Sequence, residues 1–268
     1  MKFGRKFFEE QGREMTDPES SAEKLLPFLK KISENLRNGG VPVDDNCRIS
    51  MQDFSDLYGK DKIEADDKEV REFEESKYSN TPEERIEEEK QKRNGEKLEM
   101  LVVTLFSKFL KDEFIVVRSS RYDDIRNGVD TIILEKKTGN LVCALDEVAD
   151  IKDERYKEKV KKTADKNKKG IKLKYGLKIE NGKLTKEAVK GAPIFYLALS
   201  ERNINEGIKN MSLTLTEKSD YEKDLFKYFT SSLQSQYDSL VLKGYIDPSV
   251  KGRLETFKSV LEKFKESR

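Results

Sequence analysis

Hydrophobic positions divide this chain into helical stretches near its two ends and a run of strands between them. Leu25, Leu26, Phe28, Leu29, Ile32 and Leu36 recur at helical spacing. Asp17-Pro18-Glu19-Ser20 opens that helix with proline near its first turn, and Gly39-Gly40 stops it. Residues 41–80 are polar and mixed, with a few short helical patches, and Ser79-Asn80-Thr81-Pro82 reads as a loop followed by a helix cap. From Glu83 a long helix starts highly charged and turns apolar at Leu98. Leu101, Val102, Leu105, Phe106, Phe109 and Leu110 continue a stripe suited to packing on a core. Gly95 is a weak point in it, or a break between two helices.

The period then changes. Short apolar runs at 114–118, 129–135 and 141–148 read as strands, with a polar loop over 119–127. Lys136-Lys137-Thr138-Gly139-Asn140 joins the second and third runs as a hairpin turn. Residues 153–168 form an exposed basic helix, 173–184 a small hairpin around Asn181-Gly182, and 193–200 a buried strand. Helices over about 218–242 and 248–266 close the chain, the second with Leu254, Phe257, Val260, Leu261 and Phe264 on one face. These faces suit packing on the core, or a partner helix or homodimer contact. The chain therefore divides into a helical and irregular extension (1–82), an α/β core (83–200) and C-terminal helices (201–268) packed on that core. The fold class is α/β, a central mixed β-sheet flanked by helices.

Composition narrows the chemistry. Charged residues make up 39% and hydrophobic residues 35% of the 268, so a single real core with long solvated helices is expected. The net charge is +1 but uneven: residues 151–190 carry 15 Lys/Arg against 6 Asp/Glu, and residues 60–99 carry 10 against 15. A basic stretch of that kind steers polyanions, or is simply a solvated lysine-rich helix. There is no histidine, which excludes histidine triads, histidine-ligated zinc and histidine general bases. Cys47 and Cys143 lack the spacing of a zinc site or a disulfide framework. Carboxylates, lysines and a hard divalent ion such as Mg2+ or Mn2+ are left to carry any hydrolysis. MKFGRKFFEE has no apolar signal core and no apolar run is long enough to span a membrane, so a cytoplasmic protein is expected.

The hairpin places acidic residues together. With the turn centred near Thr138, Asp130 lies opposite Asp146 or Glu147 at the open end. Like charges facing each other destabilise a sheet, and a divalent cation is the simplest compensation. The plainer alternative is a carboxylate that faces solvent beside a lysine.

These residues carry a resemblance. Asn127-Gly128-Val129-Asp130, then Val142-Cys143-Ala144-Leu145-Asp146-Glu147-Val148-Ala149, with Gly95-Glu96-Lys97-Leu98-Glu99 upstream, resemble the motifs of the PD-(D/E)xK, or restriction-endonuclease-like, nuclease superfamily over residues 83–200. The resemblance implies a core of helix, three strands, helix and strand, flanked here by helical N- and C-terminal extensions. It implies Mg2+ or Mn2+ held by Asp130, Asp146, Glu147 and Glu99 (favoured over Glu96), with Asp130 and Glu147 central to catalysis. It also implies hydrolysis of phosphodiester bonds in DNA or RNA. The motif lysine is missing: Ala149 or Val148 stands in its place. In this superfamily the basic residue can come from the following helix, where Lys159 or Lys162 replaces it and Lys152 is a weaker choice. Arg118, Arg121 and Arg126, with Lys161, Lys168 and Lys169 of the basic stretch, are candidate phosphate contacts. Tyr122, Tyr156 and Tyr175 are candidate base-stacking or packing residues. The alternative is a degenerate nuclease fold that binds nucleic acid or a protein partner without cutting. A third reading is a helical scaffold unrelated to either.

Overall fold

The computed structural model describes residues 22–82, 85–149, 154–180, 183–242 and 246–266. Helices α1 (Leu26–Asn38), α2 (Ser55–Tyr58), α3 (Lys60–Lys77), α4 (Ile86–Lys92) and α5 (Asn94–Leu110) precede strand β1 (Phe114–Arg118). Helix α6 (Arg121–Asn127) leads into β2 (Thr131–Glu135) and β3 (Leu141–Ala149). Then come α7 (Glu154–Lys166), β4 (Ile171–Glu180), β5 (Lys183–Ala192) and β6 (Ile194–Leu199). Helices α8 (Glu201–Lys209), α9 (Asp220–Leu242) and α10 (Pro248–Glu266) follow.

The architecture is mixed α/β. Four strands form a sheet in the order β1-β2-β3-β6, and β4-β5 form a separate two-stranded sheet. β1, β2 and β3 are antiparallel neighbours, whereas β6 runs parallel to β3. A parallel neighbour cannot be reached by a tight turn. The chain therefore leaves β3, builds α7 and the β4-β5 hairpin, and returns at β6.

Both faces of the main sheet are covered. Ile133, Cys143, Leu145, Phe195 and Leu197 pack with α1, α5, α9 and α10, where Phe195 stacks on Phe257 at 4.3 Å between ring centroids. Ile132, Ala144 and Ile194 pack on the other side against Phe54, Leu173 and Tyr175. Burial on both faces explains why these strands read as continuous apolar runs rather than alternating ones.

Several expectations need correction. The polar loop at 119–127 is mostly helix α6, because Ser120 caps it: its Oγ accepts from the Asp123 amide at 3.0 Å. Gly128, at φ +57°, closes it in the left-handed conformation. Strand β2 consequently starts at Thr131 rather than 129. The segment 41–80 contains the eighteen-residue α3, whose buried face is only Ile63, Asp66 and Val70, too sparse to register as a stripe. The long helix breaks at Arg93, which is extended (φ −76°, ψ 137°), and Gly95 sits inside the first turn of α5. The small hairpin is two ten-residue strands. Asp17-Pro18-Glu19-Ser20, Lys152 and the Asn181-Gly182 turn lie outside the described residues. No described helix is long and apolar enough to cross a membrane.

Candidate metal centre

The hairpin register fixes the floor of the site. Thr131 pairs with Leu145 and Ile132 with Ala144, so Asp130 falls beside Asp146 just past the last pair. The Asp130 amide donates to the Leu145 carbonyl at 2.9 Å, and its Oδ2 accepts from the Glu147 amide at 2.7 Å. Just before β2 begins, β3 would leave that amide unpaired, and the Asp130 carboxylate takes it. Successive side chains on a strand point to opposite faces. Glu147 therefore shares the α5-facing side with Cys143 and Leu145, and Asp146 shares the opposite side with Ala144. Glu99 on α5 and Asp124 on α6 complete the group: Glu99, Asp124 and Asp130 each offer a carboxylate oxygen within 4.8 Å of the others.

Two buried arginines thread this group. Arg118, 1% exposed at the end of β1, pairs with Glu96 and Glu99. Arg48 donates from Nη2 to Glu99 at 3.0 Å and from Nη1 to Asp124 at 3.2 Å. Five carboxyl groups, those of Glu96, Glu99, Asp124, Asp130 and Glu147, are thus gathered about two guanidinium groups, which pair with Glu96, Glu99 and Asp124, leaving an excess of negative charge in a dry place.

The excess appears in the acidities. Burial pushes Glu96 up, but Arg118, Arg48 and Arg121 outweigh it and hold its carboxyl at about 2. For Asp130, burial and then Glu99, Asp124, Glu147 and Asp146 all act upward, raising it well above the usual carboxylate range. Burial and Glu99 push Glu147 up to about 8. Glu147 is 4% exposed, and neither of its carboxylate oxygens has a hydrogen-bond partner of acceptable geometry, although Asp130 and Thr131 lie close by. A buried carboxylate without partners is costly. A hard divalent ion with oxygen ligands removes that cost, and the donor set, all carboxylate, suits Mg2+ or Mn2+. The residues present therefore fit such an ion.

A cleft of about 510 Å3 opens onto the group, with Glu96, Glu99, Asp124 and Glu147 on its floor. Lys77, Lys90, Arg93, Arg121 and Lys159 stand around it, with Phe73 at the wall and 47% exposed.

The sequence candidates separate. Asp130, Glu147 and Glu99 come together. Asp146 lies on the other face of β3, where Lys159 Nζ meets its Oδ1 at 2.5 Å and the Glu147 carbonyl at 3.2 Å. Burial works to lower the Lys159 ammonium, but Asp146 and Asp130 raise it on balance, so it stays charged. Lys162 instead points to solvent beside Glu158, because it lies on the outer face of α7. Arg118 is corrected from a phosphate contact to a buried partner of Glu96 and Glu99. Arg126 pairs with Glu69 away from the cleft floor, while Arg121 lines the cleft beside Glu74. Lys161, Lys168 and Lys169 are exposed, Lys168 pairing with Asp165. Tyr122 and Tyr175 are packed edge-on at 5.8 Å, and Tyr156 packs on Tyr196.

Sequence reasoning missed Asp124, Arg48 and Lys166. Ser120 with Asp123 three residues on is a capping signature that would have revealed α6 and hence Asp124. Lys166 Nζ donates to the Asn127 and Gly128 carbonyls at the C-terminal end of α6. No local signal marks Arg48, which lies far upstream in sequence. Comparison with family models, with curated proteins and with solved structures finds no match to this chain.

Proposed function

We propose that this protein is a metal-dependent nuclease, hydrolysing phosphodiester bonds in DNA or RNA on a restriction-endonuclease-like core. One observation carries the reading: the buried Glu147 carboxyl, with no hydrogen bond of good geometry and only Asp130 and Thr131 close by, among acidic neighbours in a cleft lined also by basic side chains. The order α5, β1, β2, β3, α7, β6 supports it, with α6 and the β4-β5 hairpin as insertions.

Asp130 and Glu147 hold the ion, with Glu99 nearby. A divalent ion supplies Lewis acidity and lowers the pKa of water. Lys159 stands at the cleft wall, fixed by Asp146, and serves in place of the missing motif lysine to stabilise charge on the phosphate. Lys77 and Arg93 on the rim hold the backbone, and Phe73 offers a stacking face for a base.

The test is cleavage of single-stranded, double-stranded and branched DNA and RNA with Mg2+ or Mn2+, by the parent and by Glu147→Gln. Cleavage that the variant loses by at least about a hundredfold supports the reading, since a lost metal ligand removes transition-state stabilisation of several kcal/mol. Binding without cleavage favours the second reading, a degenerate nuclease fold. That reading draws on Ala149 in the motif position and on the arginines already paired with Glu99 and Asp124.

A further inference from the structure

Arg48 reaches the acidic group from outside the α/β core, and the chain around it is built to deliver it there. Residues 43–50 form a tight excursion closed by a Val43–Ile49 bridge. Asp44 Oδ1 accepts from the Asn46 and Arg48 amides at 2.8 Å each, and the Asp44 amide donates to the Arg48 carbonyl at 2.9 Å. Cys47 sits at φ +58°, a conformation that non-glycine residues seldom adopt. The excursion lies along the free edge of β1: the Arg118 amide donates to Cys47 at 2.8 Å and the Ile49 amide to Arg118 at 3.1 Å. The outcome is a guanidinium, 3% exposed, lodged between Glu99 and Asp124 and fixed further by the Ser119 carbonyl at 3.2 Å.

Two of the three carboxylates whose oxygens lie within 4.8 Å of one another are therefore already bridged by an internal cation. The third, Asp130, adjoins Glu147, whose buried oxygens make no hydrogen bond of good geometry. The acidic group thus has two halves: one satisfied by arginine and one not. We propose that Arg48 is a resident cation in place of a second metal ion. With Arg48 present, the site takes one divalent ion, on Asp130 and Glu147. With Arg48 removed, a second ion is admitted between Glu99, Asp124 and Asp130. Arg48 is a positioning residue here, setting how many ions the site holds. The inference rests on the metal-centre reading above.

The test is calorimetric titration of the full chain with Mn2+, comparing the parent, Arg48→Ala, Arg48→Lys and Glu147→Gln. The expected stoichiometry is one ion for the parent and for Arg48→Lys, which keeps the charge, and two for Arg48→Ala. Glu147→Gln loses the parent's ion. One ion in both the parent and Arg48→Ala, or two in the parent, overturns the role of Arg48 and leaves the metal centre standing. No binding by the folded parent overturns the metal centre itself. Should Arg48→Ala fail to fold, Arg48→Gln keeps an amide donor toward Glu99 and Asp124 without the charge. Two ions there support the proposal, and one contradicts it.

Discussion

At the scale of single residues, Glu147 and Asp130, with Glu99 and Asp123, tie the protein's stability to pH. The Glu147 and Asp130 carboxyls are raised in the folded chain, chiefly by burial and then by their acidic neighbours. Between the ordinary carboxylate value and about 8, the folded chain keeps protons that the unfolded chain has released. Stability of the metal-free protein must therefore fall as pH rises through that window. The expected loss is on the order of a few kcal/mol. Denaturant unfolding in the presence of a chelator, at pH values spanning the window, checks the slope. Glu147→Gln should reduce it, Asp130 keeping the remainder, and leave the metal-free variant more stable than the parent at the alkaline end. A slope of opposite sign would mean that these carboxyls are ionised in the folded chain. Sequence alone showed that Asp130 and the Asp146-Glu147 pair would meet, because hairpin register follows from the turn. It did not show which of the pair faces Glu99, because that depends on which face of β3 packs on α5.

At the scale of elements, helix α6 aims Asp124. Its start depends on Ser120, whose Oγ accepts from the Asp123 amide and donates to Asp123 Oδ2 at 2.8 Å. Asp123 in turn accepts from the Lys174 and Tyr175 amides, fastening β4 to the helix. Ser120→Ala should cost about 1 kcal/mol in unfolding experiments. Ser120→Asp, which restores a capping oxygen but faces Asp123, should not recover it, because the buried carboxylates would repel. α6 was hidden in the sequence because seven residues with four charged, at 121, 123, 124 and 126, look like a loop. The β2-β3 hairpin was legible because its turn residues and its paired apolar runs agree. Gly139 at φ +72° closes that turn, and a Cβ there would meet the Ile179 carbonyl oxygen at 2.0 Å. The glycine is thus needed for the approach of β4 as well as for the turn, which only the three-dimensional arrangement reveals.

At the scale of the whole molecule, the flanking helices share the core of the sheet instead of standing apart from it. Phe106 of α5 meets Phe226 and Phe264 of α9 and α10 edge-on, at 5.3 and 6.3 Å. A buried ion pair accompanies this packing: Lys108 on α5 meets Glu222 on α9, and its Nζ also donates to Ser212 Oγ at 2.6 Å. Lys108→Met should cost about 3 kcal/mol, because it removes the counter-ion of a buried carboxylate that keeps only its bonds from Ser212 and Ser219, and Lys108→Met with Glu222→Leu should recover part of it. A double-variant loss equal to the sum of the separate Lys108→Met and Glu222→Leu losses, measured by denaturant unfolding, would show that the two charges are not coupled. The helical stripes behind this packing were plain in the sequence. The reach of residues 43–50 to the sheet edge was not, since a single arginine in a polar stretch carries no periodic signal.

Binding of a divalent cation by Glu147 and Asp130 is read in the melting temperature of the full chain in Mn2+ against chelator. A rise of roughly 5–10 °C is expected for the parent at about a hundredfold excess over Kd. No rise is expected for Glu147→Gln. An unchanged melting temperature in the parent, or an equal rise in the variant, would contradict binding at these two residues.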